Sequence, residues 1–306
     1  MKKGKNKFLS LLLIVAFSLL SFTPIVASAK TPDEDMTIRS RNVSTYSLKT
    51  INDRLTYSYD TASVYFGEIM LGNIARLINN EYYIPLRQFV NSVIGGTRVT
   101  YNSDTRTLLV TGNGHNISVS DNAYALYASG RVLFSSTPSK ILSDGRMYVP
   151  AGIVAKAFGL KLETNGGVAR FSGTPTPIVS ADRYYDSDMV YWLSKIISAE
   201  SRGEPLIGQI AVGNVVLNRT RSPDFPSTIY GVIFDRKYGV QFSPVLNGTI
   251  YDTPTSTAIL AAKICLDGFS VSSDVLYFLR PSASSSSWIV NNRPFQFVIG
   301  NHYFFE

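Results

Sequence analysis

IISAESRGEPLIGQIAVGNVVLNRT, Ile196 to Thr220, decides the fold of the second half of the chain. It reads as two apolar helices broken at Ser-Arg-Gly-Glu-Pro. In the first, Ser187 to Glu200, the residues Val190, Leu193, Ile196 and Ile197 recur at helical spacing. One further turn of that stripe reaches Glu200. Gly203 stops this helix and Pro205 starts the next, over Leu206 to Arg219, because a proline N–H would be unpaired there anyway. Two carboxylates therefore bracket one hinge.

The two acids read differently. Glu200 falls on or beside a buried face, where lost hydration raises a carboxyl pKa. Such a group either donates a proton or pairs with a nearby arginine, Arg202 or Arg219. Glu204 precedes a helix start, where orphan N–H groups favour a negative charge. It reads as a cap, or as a second catalytic acid. Gln209, Asn214 and Asn218 are amides on the apolar second helix. They suit either sugar hydroxyl and acetamido groups or the backbone of loops.

Upstream, Gly173-Thr-Pro-Thr-Pro-Ile-Val-Ser is a linker by composition. Before it lies a repeat. EYYIPLRQFVNSVIGGTRVTYNSDTRTLLVTG is answered by RMYVPAGIVAKAFGLKLETNGGVARFSG, with Tyr83 matching Tyr148 and Pro85 matching Pro150. Each copy predicts a short strand, a helix opened by proline, a glycine, and a two-stranded turn.

At the front, MKKGKNKFLSLLLIVAFSLLSFTPIVASAK has lysines, an apolar run and Ala27-Ser28-Ala29, the pattern of a secretory signal cleaved after Ala29. Secretion places the mature protein outside the cytoplasmic membrane. Without residues 1–29 and their four lysines, 25 basic and 22 acidic residues remain. Residues 30–173 carry 15 basic and 11 acidic side chains, and residues 174–306 carry 10 and 11. The basic front half suits an anionic wall or membrane surface, and it is too weak for nucleic acid. A single cysteine, Cys265, excludes an intramolecular disulfide. With two histidines, His115 and His302, and no H-E-x-x-H, the chain offers no metal centre. No cofactor is expected. A Cys265–His302 peptidase pair is disfavoured, because Cys265 lies near a helix C-terminus, which opposes a thiolate. His302 reads as structural or near a groove.

The segments AESRGEPLIGQIAVGNVVLNRTRSPDFPSTIYGVIF, QFSPVLNGTIY, YFLRPSASSSSWI and IGNHYFF, in that order over about 186–306, resemble the SleB-type cell-wall hydrolases, the spore cortex-lytic enzymes. The repeat over about 62–173 resembles the copper amine oxidase N-terminal domain, through YIPLR and YVP. The resemblance implies an α+β fold. A duplicated small α+β domain is followed by a lysozyme-like or lytic-transglycosylase-like, helix-rich catalytic domain. It implies peptidoglycan of spore cortex or vegetative wall as partner and substrate, and Glu200, the first acid of E-[AS]-R-G-E, as catalytic residue. Ser201 stands where the family usually has alanine. Leu279-Arg280-Pro281 follows Tyr277-Phe278, where the family commonly continues with asparagine and proline.

The expected organisation is thus a signal (1–29), a flexible lead (30–61), the repeat domain (62–173), a linker (174–185) and the catalytic domain (186–306). The expected reaction is cleavage between N-acetylmuramic acid and N-acetylglucosamine by lytic transglycosylation, which needs one acid that later serves as base. A hydrolase would need a second carboxylate, roughly 5 Å away if retaining or roughly 6.5–9.5 Å if inverting. Glu204 and Asp235 are its candidates. A non-enzymatic wall-binding or germination accessory protein is the rival from another class. Aromatic faces for sugar rings are offered by Trp192, Tyr238, Tyr251 and Trp288. Gln241, Phe242, Ser243, Tyr277 and Phe278 join Gln209 and Asn214 as expected groove residues.

Overall fold

The computed structural model describes residues 60–281 and 287–306. The signal over 1–29, nearly all of the expected lead and residues 282–286 lie outside the described residues.

The first part runs β1 (Asp60–Phe66), β2 (Ile69–Ile78), β3 (Glu81–Pro85), α1 (Leu86–Val93), β4 (Arg98–Asn102), β5 (Thr107–Gly112), β6 (His115–Ser120), β7 (Ala125–Ala128), β8 (Arg131–Phe134), β9 (Lys140–Ile141), β10 (Met147–Pro150), α2 (Ala151–Ala157), β11 (Lys161–Asn165) and β12 (Val168–Ser172). These strands make a seven-stranded sheet, β11-β12-β1-β2-β3-β10-β9, and a five-stranded sheet, β4 to β8 in order.

The repeat is visible in the pairing. β3 and β10 lie side by side and antiparallel, with Tyr83 opposite Pro150, Ile84 opposite Val149 and Pro85 opposite Tyr148. The matched motifs thus face each other about a local two-fold. Pro85 and Pro150 each cap the following helix. The two hairpins part company, however. β4–β5 opens the five-stranded sheet, whereas β11–β12 ends the seven-stranded one. One apolar core, including Phe89, Phe158 and Phe171, joins both sheets and both helices.

The second part is mostly helical: α3 (Ala181–Tyr184), α4 (Ser187–Ser201), α5 (Leu206–Arg219), α6 (Ile229–Ile233), α7 (Ser243–Asn247), a short 3₁₀ turn (Thr249–Tyr251), α8 (Ser256–Leu266), β13 (Tyr277–Leu279), α9 (Ser287–Asn292), β14 (Phe295–Ile299) and β15 (His302–Phe305). Asp186 caps α4, accepting from the N–H groups of Asp188 and Met189. α5 is buried from Gly208 to Arg219, with Ile207 left at the surface. A β-carbon at Gly213 would lie 2.8 Å from both Cys265 Sγ and Ile197 Cδ1, so glycine lets α5 close on α4 and α8. β13, β15 and β14 form a small sheet beside this bundle.

The two parts meet at β8. Val132 belongs to the helical core, with Ala125 and Phe134 packed against it. Beside it, Arg131 Nε donates to Asp267 Oδ1 at 2.9 Å, and both side chains are buried. The Tyr185 hydroxyl also donates to Asp267, and the Arg131 guanidinium lies 3.2 Å from the centre of the Tyr184 ring. A charge removed from water this completely requires such partners. Among the described residues, no helix is long and apolar enough to cross a membrane.

Candidate active site

A cleft of about 400 Å³ opens where the α4–α5 hinge meets the β14–β15 turn. Glu200, Arg202 and Glu204 line it from the hinge, with Arg280, Asn301 and His302 from the small sheet and its turn.

Glu200 occupies the last turn of α4. Leu193, Ile196 and Ile197 bury one face of that helix completely. The stripe carries Glu200 to the edge of this core, where it is half-buried and still lines the cleft. Burial raises its carboxyl to about 7, against the opposing pull of the Arg219 guanidinium. Among the described residues, no hydrogen bond contributes to that balance.

Arg219 is the counter-charge but not an ion-pair partner. Its Nε donates to the Leu276 carbonyl at 2.7 Å. Its guanidinium lies 4.8 Å from the ring centre of Phe225, 5.2 Å from that of Phe242 and 5.4 Å from that of Tyr277. Burial lowers its pKa to about 10, opposed by Tyr277, Asp235 and Glu200. Arg202 also does not neutralise Glu200. Its Nη2 lies 3.9 Å from Asp252.

Glu204 does something the sequence reading missed. It does not cap α5, whose N-cap is Pro205 with no side-chain bond. Its carboxylate instead accepts from Asn301, through the backbone N–H at 2.9 Å on Oε2 and the side-chain amide at 2.9 Å on Oε1. It thereby clamps the β14–β15 turn to the hinge. Gly300 has φ +58, and a β-carbon there would run into the Glu204 carboxylate. His302 is 4% exposed and its Nδ1 has no hydrogen-bond partner among the described residues. Burial lowers its basicity most; Glu204 opposes the shift and Arg280 adds to it.

The expected groove residues lie elsewhere. The Asn214 amide donates to the Phe269 carbonyl at 3.0 Å and its oxygen accepts from the Val271 N–H at 2.8 Å. Asn218 likewise donates to the carbonyls of Ser272 and Val275. Gln209 is buried, and its Nε2 donates to the Glu204 carbonyl at 3.0 Å. The assignment of Gln209 and Asn214 to substrate is corrected: these amides bind backbone inside the domain. Phe242 is also corrected, being 2% exposed within the helical core. Phe278 packs against Phe242, Phe304 and His302, and so reaches the cleft only through the histidine. Tyr277 stacks under Arg219 and Arg293. Gln241 donates to its neighbour, the Gly239 carbonyl, and Ser243 is exposed at the start of α7. None of Gln241, Phe242, Ser243, Tyr277 or Phe278 lines the cleft, and neither does Asp235.

Arg280 and Asn301 were missed as site residues. They lie about 80 to 100 positions from Glu200 in sequence, and only the sheet brings them to the hinge.

Residues 203–305 match the cell wall hydrolase family. The C-terminal half of this chain carries a cell wall hydrolase domain. The matched range starts just after Glu200. Residues 48–170 match the copper amine oxidase N-terminal domain. Among the described residues, no group of three or more His, Cys, Asp or Glu could hold a metal there or elsewhere. His115 is buried 5.1 Å from the Phe158 ring.

The cell wall hydrolase domain has named relatives. The spore cortex-lytic enzyme of Bacillus cereus is 38% identical over 39% of this chain and 45% of its own length. That of Halalkalibacterium halodurans is 40% identical over 40% of this chain and 35% of its own. The chain thus spans less than half of these two relatives. The catalytic domain of the germination-specific lytic transglycosylase SleB from Bacillus anthracis is 38% identical, over 40% of this chain and 97% of that one, with a TM-score of 0.37.

Proposed function

We propose that this protein cuts peptidoglycan glycan strands between N-acetylmuramic acid and N-acetylglucosamine, by lytic transglycosylation with Glu200 as the single acid/base. The observation that carries the reading is Glu200 itself: a cleft acid held to about 7 by burial, with Arg219 as its electrostatic counterweight among the described residues. Such an acid is substantially protonated at neutral pH and can donate.

In the first step the Glu200 proton goes to the glycosidic oxygen as the bond from C1 of the muramoyl sugar to that oxygen breaks. The muramoyl C6 hydroxyl then attacks C1. Its proton returns to the Glu200 carboxylate, leaving a 1,6-anhydro end and an unaltered enzyme. No water is consumed.

The hydrolytic reading needs a second free carboxylate. Glu204 is poorly suited, because both of its oxygens already hold Asn301. Asp235 does not line the cleft. The identity to a lytic transglycosylase domain points the same way. A spore cortex or cell-wall location, reached by secretion, accords with the relatives and with the amino-terminal signal pattern. The basic repeat domain is proposed to hold the enzyme to the anionic wall. Wall binding that weakens as salt rises would support that role.

Mass spectrometry of fragments from purified peptidoglycan tests the reaction. 1,6-Anhydro ends that vanish in Glu200→Gln are expected. New reducing ends would favour hydrolysis, and wall binding without any fragment would favour an accessory protein.

A further inference from the structure

A group of exposed aromatic rings lies outside the cleft, and the reaction above does not use it. Trp192 of α4 packs against the helical core. The Tyr191 ring meets it at 5.0 Å and the Tyr230 ring of α6 at 5.1 Å, both edge to face. Tyr191 and Tyr230 are 46% and 54% exposed. Tyr191 is held from a second side by the buried Lys195, whose Nζ lies 5.0 Å from the ring centre. The same ammonium donates to the carbonyls of Tyr251 at 2.8 Å and Asp252 at 2.9 Å. It thereby ties a third exposed tyrosine, Tyr251, to the same helix. These contacts fix the rings in place while leaving them open to solvent.

This ridge is continuous with the cleft. Tyr191, Lys195, Ser198 and Arg202 fall at i, i+4, i+7 and i+11, along one face of α4. Arg202 lines the cleft, and its guanidinium lies 3.9 Å from Asp252, the neighbour of Tyr251 in the chain. From Arg202 back to Tyr191 the helix rises about 16 Å. A strand held at Glu200 is longer than the cleft and must leave it, and the α4 ridge begins at the cleft wall.

Contiguous exposed apolar groups mark interaction sites. Here the groups are phenol rings. Their faces suit the C–H side of a sugar ring, and among the described residues no protein group engages the hydroxyls of Tyr191, Tyr230 or Tyr251. Rigid tyrosine and tryptophan side chains bind at small entropic cost. At the near end, the exposed Arg202 and Asp252 side chains offer donors and acceptors for sugar hydroxyls. A polymer that alternates flat C–H faces with hydroxyls fits this mixture of rings and polar groups better than an aliphatic protein surface does.

We propose that Tyr191, Tyr230 and Tyr251 form a distal glycan-binding surface that takes sugar residues of the strand beyond those in the cleft, so that the enzyme favours long strands over short oligosaccharides. The inference rests on the proposed glycan-cleaving function.

The test compares the full chain with Tyr191→Ala, Tyr230→Ala, their double variant and Tyr191→Phe, on soluble peptidoglycan strands graded by length. Thermal melts verify that each variant is folded. In the wild type, kcat/KM should rise with strand length. The ratio of long-strand to short-strand kcat/KM should fall about tenfold in the double variant and less in each single one. Tyr191→Phe, which keeps the ring, should retain most of the ratio. Equal losses at all lengths, or a wild type indifferent to length, would overturn the proposal. So would sedimentation showing that the wild type self-associates and the double variant does not, because the ridge would then be a contact between copies.

Binding separates this surface from the reaction. Affinities of uncut long and short strands would be measured for Glu200→Gln with and without the two tyrosine substitutions. A preference for long strands that is lost with the tyrosines supports the surface, even if the wild type cuts no glycan and the proposed reaction fails. A preference that survives their loss, or no preference in either protein, overturns it.

Discussion

Two carboxylates four positions apart meet opposite fates. Glu200 ends a helix whose buried face leaves its carboxyl poorly hydrated and, among the described residues, without a hydrogen-bond donor. Glu204 begins the next segment and receives two donors from one residue of a distant hairpin. The first environment favours the neutral acid, and the second satisfies the carboxylate. Identical chemistry thus becomes an acid with a raised pKa in one place and a clamp in the other. The lesson is that the partner groups decide the role, more than the acid itself.

Removing the donor should break this contrast most visibly. Glu200→Gln should lower kcat by about 10² to 10⁴, the usual reach of general acid–base catalysis, in a turbidity or fragment-release assay. A loss under tenfold would mean that the acid lies elsewhere. Glu204→Gln should do less to chemistry and more to structure. Weakening the clamp on Asn301 should cost about 1–3 kcal/mol in denaturant unfolding, with activity reduced roughly tenfold by misplacement of the cleft wall. If it abolished activity while Glu200→Gln did not, the roles would be reversed.

Protonation sharpens the contrast. The Glu200 pKa is raised in the folded state above its ordinary value of 4.5, to about 7. Stability from the neutral acid is therefore fully present below that ordinary value and is lost as pH rises through about 7. Activity on one substrate should fall over the same upper range as the donor ionises. In thermal melts, Glu200→Gln should gain on the wild type between pH 5 and pH 8. The smallest expected effect is from Asn301→Ala, which deletes one of the two donors and keeps the backbone one. A loss of about 1 kcal/mol is expected by denaturant melt, with most activity retained.

Much of this was legible in the chain itself. The 3.6-residue stripe and the Gly203 and Pro205 breaks place α4 and α5, and the YIP and YVP motifs expose the repeat. Periodicity also carries Glu200 to the edge of the core. It was silent on what lies against the buried amides. Asn214 and Gln209 look like sugar ligands on a helical wheel, yet loop backbone and the hinge carbonyl occupy them. The repeat was equally deceptive about its hairpins. Similar sequences enter different sheets because the four strands β6 to β9 separate the copies, and the first three of them extend only the first hairpin.

By itself, then, the sequence determined the helices, the repeat, the hinge and the acid at its edge, because these follow from local periodicity and from the backbone limits of glycine and proline. Only the tertiary structure decided that Glu204 clamps a turn, that Arg219 opposes Glu200 without pairing with it, and that Arg280 and His302 share its cleft. Those outcomes depend on contacts between segments far apart in the chain, where distance, burial and competing donors set the energy of each group.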